Sequence, residues 1–139
     1  MEVKKLSPLE WSKLSTEAHL ICFGEIRPSQ MDRIDFALMT VKDELPQSYC
    51  TVRELDEESA YWQYGGSFPS AKDTIISMKS YEAFRDTMMH MGYKRITTYV
   101  KNDNIVMLKM AFKIGYRIIG TRTFKNEIYV ELLNEFYKE

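Results

Sequence analysis

Between Thr74 and Met91 apolar residues recur at helical spacing, at Ile75, Met78, Phe84, Met88 and Met91, and Gly92 follows where such a helix would end. On either side stands a strand-like run: Glu58 to Gly66, rich in Tyr61, Trp62 and Tyr64, and the alternating Arg95 to Lys101. Strand, helix and strand in that order predict a crossover. It lays the two strands parallel in one sheet and carries the helix over a single face of it.

The rest of the chain extends this sheet. Glu2 to Leu6 reads as a first strand, and Ser7-Pro8 then opens a helix that runs to about Phe23, with proline in the first turn where its missing N–H costs nothing. Arg27-Pro28-Ser29-Gln30 ends that helix and begins a second short one through Met31 and Ile34. Phe36 to Lys42 and Ser48 to Leu55 are β-rich runs joined across Asp43-Glu44 and Pro46, and with Glu58 to Gly66 they make an antiparallel meander. Beyond Lys101, Asn104 caps a short helix ended by Gly115, and Tyr116 to Thr123 with Ile128 to Leu132 form a hairpin across Lys125-Asn126. The order β-α-α-β-β-β-α-β-α-β-β implies an α+β fold, and no repeat or linker divides residues 1–139, so one domain is expected.

Composition narrows the function classes. The 139 residues are 45% hydrophobic and 28% charged, with a formal net charge of -1 and both signs interspersed. That is a globular balance, without a summed field that would hold nucleic acid or an anionic membrane. Cys22 and Cys50 lack metal-ligand spacing and a partner motif, so no metal site is expected and a reducing compartment fits. Met1-Glu2-Val3-Lys4-Lys5 leads into no long apolar stretch, and no apolar run approaches the roughly 18 residues that span a bilayer. A cytoplasmic protein is expected.

The segment Asn104-Ile105-Val106-Met107-Leu108-Lys109-Met110-Ala111-Phe112-Lys113-Ile114-Gly115-Tyr116 resembles the signature of the GNAT N-acetyltransferases, with Asn104, Lys113 and Gly115 in register. Gly92-Tyr93 before the strand at Arg95, and Ser67-Phe68-Pro69 at the end of the preceding one, resemble two further elements of that family in the same order. The likeness is also to small phage-encoded members whose loops lack glycines.

The resemblance implies a mixed central sheet splayed between its fourth and fifth strands, with acetyl-coenzyme A (acetyl-CoA) entering the splay as a substrate. Its diphosphate would sit on the loop Ser67 to Thr74, where the first N–H groups of the next helix lack partners and carry the positive end of the helix dipole. The residues implied to hold coenzyme A are Ser67, Phe68, Ser70, Ala71, Lys72, Asp73, Thr74, Asn104 and Lys113. The plainer reading of the loop is an exposed turn in which Ser70 or Asp73 caps the helix, and Gly65-Gly66 either lets the pantetheine arm approach or marks a bulge. Two features depart from the family pattern: the loop has no glycine, and Ala111 stands where many members have a proton-donating tyrosine.

Tyr64 is therefore assigned as the proton donor and Glu54, on the neighbouring strand, as the base. The reaction implied is acetyl transfer to a primary amine of a small molecule or peptide, by direct attack in a ternary complex. The alternative is a GNAT-fold binding or assembly protein with little or no catalysis. Acceptor choice is expected from His19 to Ser29 and from the final hairpin. No nucleic acid or membrane partner is expected, and a homodimer is left open.

Overall fold

A computed structural model describes residues 1–24, 33–72 and 74–136 of the chain. Seven strands form one sheet in the order β1-β2-β3-β4-β5-β7-β6. They are β1 (Glu2–Leu6), β2 (Phe36–Lys42), β3 (Leu45–Asp56), β4 (Ser59–Ser67), β5 (Arg95–Lys101), β6 (Arg117–Phe124) and β7 (Glu127–Glu135). Three helices are described: α1 (Pro8–Phe23), α2 (Ile75–His90) and α3 (Ile105–Lys113). The second short helix expected near Met31 lies outside the described residues, and Ile34, at its end, belongs to no helix.

The expected crossover is present. Strands β4 and β5 are parallel and pair only at Ser59 with Arg95, Ala60 with Ile96 and Tyr61 with Thr97. One side-chain bond, Thr98 Oγ1 to the Trp62 carbonyl at 3.0 Å, extends the contact before the strands part. All other neighbours in the sheet are antiparallel.

Helices cover both faces. Tyr81, Phe84 and Met88 of α2, Leu108 and Ala111 of α3, and Ile114 at its C-cap pack on Leu38, Cys50, Val52, Trp62, Ile96 and Leu132. On the opposite face Trp11, Ala18 and Cys22 of α1 pack on Ala37, Tyr49 and Phe68. The buried face of α2 differs from the apolar stripe: Ile75 and Met91 are exposed, while Ser77 and Ser80 are buried. Their hydroxyls need partners and find them, because Ser80 bonds Thr40 at 2.8 Å and Ser77 bonds Ser67 at 2.7 Å, which in turn meets Ser48 at 2.9 Å. This polar seam fixes the first turns of α2 over β2, β3 and β4.

Several boundaries shift for local reasons. Two of the three hairpin turns, Asp43-Glu44 and Lys125-Asn126, consist of two residues with positive φ, which matches the twist of the flanking strands. Pro46 therefore lies inside β3 rather than in the turn, opposite Val41 and beside a register shift at which its missing N–H is tolerated. The cap of α2 is Thr74, whose hydroxyl accepts from the Ile76 N–H at 3.2 Å, and not Ser70. Asn104 caps α3 as expected, accepting from the Met107 N–H at 3.2 Å.

Candidate active site

Past Tyr61 and Thr97 the facing edges of β4 and β5 have no ladder between them, and a cleft of about 790 Å³ opens there. Of the residues assigned a catalytic or coenzyme A role from the sequence, Tyr64, Ser67, Lys72 and Asn104 line it. Ser67 belongs to the hydroxyl seam, and the hydroxyl of Tyr81 lies 3.3 Å from it. Burial, the largest influence, holds the Tyr81 hydroxyl above its ordinary range, so it stays protonated.

The others stand apart from the cleft. Glu54 is a correction: it pairs with Ala60 at the closed end of the sheet, where its carboxylate accepts from the Tyr93 hydroxyl at 2.6 Å. Phe68 is buried against Tyr49 under α1, with ring centroids 6.3 Å apart. Ser70 is turned away, its hydroxyl donating to Gln47 Oε1 at 3.3 Å. Ala71 is fully buried, Thr74 is exposed at the helix cap, and Lys113 is exposed at the end of α3, outside the cleft lining. Asp73 lies outside the described residues. The loop also spends its N–H groups internally: those of Ala71 and Lys72 donate to the Phe68 carbonyl and that of Thr74 to the Ala71 carbonyl.

Ala111 is 1% exposed, inside the core beneath α3. A tyrosine ring would have to displace that core to fit, so the residue is set by packing; Met107 and Met110 face the cleft instead. Gly65 and Gly66 are likewise demanded by the protein itself. A Cβ on Gly65 would lie 2.7 Å from the Trp62 indole nitrogen, and one on Gly66 would lie 2.9 Å from the rings of Phe23 and Tyr49. The bulge of β4 falls two residues before Gly65, at Gln63, between the pairs Val52 with Trp62 and Thr51 with Tyr64. The Gln63 side-chain oxygen is enclosed without a hydrogen-bond partner, beside the cleft that Gln63 lines.

The far wall comes from residues that sequence reading did not single out. Tyr99 of β5, Arg122 and Phe124 of β6 and Tyr129 of β7 line the cleft with Tyr61 and Tyr64. Register brings them together: Tyr99 pairs with Glu131, and Tyr129 pairs with Arg122. Tyr61 and Tyr99 meet edge to face at 5.9 Å, the Arg122 guanidinium lies 5.8 Å from the centre of the Tyr99 ring, and the Tyr99 hydroxyl donates to Glu131 Oε2 at 3.0 Å. The signal available in the sequence was alternation: Tyr99 on β5, and Tyr129 and Glu131 on β7, fall on the strand face opposite Val100 and Val130.

Cations at the cleft are Lys72, Lys101 and Arg122, and no carboxylate is among its described lining residues. Lys101 is held by Glu127 at 2.7 Å. Burial pushes the Cys22 thiol up to about 11, with Lys72 pulling weakly the other way, so it presents to the cleft as a small protonated group.

No protein-family model and no curated protein sequence matches the chain. Solved structures do. The ribosomal-protein-S18-alanine N-acetyltransferase of Escherichia coli is 9% identical, with a TM-score of 0.79 over 99% of this chain and 95% of that one. An aminoglycoside 6'-acetyltransferase of type Ii is 10% identical, with a TM-score of 0.76 over 100% and 99%. A GNAT family acetyltransferase from Elizabethkingia anophelis with acetyl-CoA bound is 12% identical, with a TM-score of 0.69 over 86% and 89%. With its parallel pair splayed after three rungs and its helices on both faces, the chain has the GNAT acetyltransferase fold.

Proposed function

We propose that the chain is an N-acetyltransferase that moves the acetyl group of acetyl-CoA to a primary amine of a small molecule or peptide, by direct attack in a ternary complex. The observation that carries this reading is the opening between β4 and β5, which leaves two strand edges facing a cleft. Unladdered strand edges offer N–H and C=O groups to an amide-bearing arm such as pantetheine, which can run between them as a short strand would. The enclosed Gln63 oxygen is an acceptor for one of its N–H groups. The diphosphate would lie by Lys72 and the N-terminus of α2, with Asn104 at the opposite wall.

In this reading each chemical step is assigned a group at or beside the cleft. The Tyr64 N–H donates to Thr51 Oγ1 at 3.2 Å and so points toward β3. Successive N–H groups of a strand point to opposite edges, which puts that of Gly65 on the cleft side to receive the oxyanion of the tetrahedral intermediate. The amine nitrogen attacks the thioester carbon and passes its proton through the Tyr99 hydroxyl to Glu131, which takes the role that Glu54 is too distant to fill. As the C–S bond breaks, the thiolate takes a proton from Tyr64. We infer a cytoplasmic setting from the two free, buried thiols, and kinship with small phage-encoded GNAT-like chains from the glycine-free loop.

Because the N–H groups of Ala71, Lys72 and Thr74 are spent internally, coenzyme A should bind weakly, in the upper micromolar range, held largely by the Lys72 charge. At ten times its Kd it should stabilise the protein by about 1.4 kcal/mol, raising Tm by about 4 to 8 °C. Lys72→Glu should remove that rise. If millimolar coenzyme A moves neither Tm nor the amide resonances of residues 64–72 in the wild type, the cofactor site is wrong. The fold would then serve binding or assembly instead.

A further inference from the structure

Among the described residues of the far wall, Arg122 is the cation with no ion pair. Lys101 is neutralised by Glu127 at 2.7 Å, and Arg117, on the same strand, by Glu135. Arg122 forms no ion pair with a described carboxylate, and its contact is with the face of Tyr99, 5.8 Å from the ring centre. The carboxylates nearest in register, Glu127 and Glu131, flank its partner Tyr129; the first is paired with Lys101 and the second accepts from the Tyr99 hydroxyl. The half-buried rings of Tyr61, Tyr64, Tyr99 and Tyr129 line the same cleft as Arg122, with Tyr129 its partner across the ladder. A cation–π contact uses none of the guanidinium's N–H groups, and its planar fork can bind a carboxylate through two parallel bonds.

We propose that the acceptor amine carries a carboxylate on a flat, largely apolar body, and that Arg122 selects it. This rests on the acetyl-transfer reading and adds the substrate class. The body of the acceptor stacks among Tyr61, Tyr99 and Tyr129, its carboxylate meets Arg122, and its amine reaches toward the end of β4. A polycation is disfavoured at this wall, because no described lining residue is acidic and Arg122 would repel it.

The test compares acetylation of para-aminomethylbenzoate, para-aminomethylbenzamide and spermidine by the full chain. The first two differ in one remote charge, so their amines have similar basicity. Wild type should favour the benzoate over the benzamide by about tenfold or more in kcat/KM, the factor that follows from one charge-assisted contact, and should use spermidine least. Arg122→Glu should reverse the order of the first two, while Arg122→Lys should keep a reduced preference. Equal rates for benzoate and benzamide, a preference for spermidine, or an unchanged ratio in Arg122→Glu would each overturn the proposal and leave acetyl transfer standing. Should coenzyme A raise Tm without turnover of any amine, the ratio is read from the additional Tm shift each amine gives with coenzyme A bound, and equal or absent shifts overturn it. No turnover together with no coenzyme A shift refutes the acetyl-transfer reading itself.

Discussion

Glu131→Gln should lower kcat for acetyl transfer by about a hundredfold to ten-thousandfold, the range that general-base assistance supplies. At neutral pH an alkyl amine is mostly protonated and cannot attack until a proton leaves. Among the groups placed here, Glu131 is the carboxylate within one hydroxyl of the cleft. The glutamine still accepts from Tyr99, so Tm and the shift given by coenzyme A should hardly change, and the loss should appear in kcat rather than KM. Tyr99→Phe should lose activity as well. The double variant should lose no more than Glu131→Gln alone if the hydroxyl acts by relaying the proton, since residues acting as one unit are not additive. Wild-type kcat in Glu131→Gln would remove Glu131 from the mechanism.

The second large effect concerns stability. Phe84 is fully buried on α2, between Trp62 at 5.8 Å and Tyr81 at 6.2 Å between ring centres. Truncation to alanine removes the ring and leaves a cavity that the hydroxyl seam prevents α2 from closing. The cost should be about 3 to 5 kcal/mol, a fall in Tm on the order of 10 to 30 °C. Marginal folding stability makes that a large share of the total. Phe84→Leu, which fills much of the space, should lose far less. A fall of only a few degrees for Phe84→Ala would show that α2 is not seated as described, and with it the loop that carries Lys72.

The elements of this chain were largely legible because each has a local cause. The Ser7 cap with Pro8, the Asn104 cap, the alternation of Arg95 to Lys101 and the glycines at 92 and 115 act within one turn or one strand, so sequence distance does not blur them. The places where reading slipped are those where a partner remote in sequence decides. Pro46 looked like turn punctuation, yet a two-residue turn with positive φ displaced it into the strand. Ser77 and Ser80 fall outside the apolar stripe of α2, yet they are buried because hydroxyls on β2 and β4 bond them.

The candidate site divides along the same line. Local pattern gave the parallel pair, and the resemblance to the GNAT signature added its splay and drew attention to Tyr64, Ser67, Lys72 and Asn104, which line the cleft. Tertiary structure decided the rest. Glu54 and Tyr64 are close in sequence and on adjacent strands, but antiparallel register sends the first to the closed end of the sheet and the second to the open end. Tyr99, Arg122, Tyr129 and Glu131 come from three strands whose order reverses at β7, and only that insertion between β5 and β6 gathers them. Side-chain chemistry is written in the chain; which chemistries meet is set by register and strand order, which depend on contacts that no local segment contains.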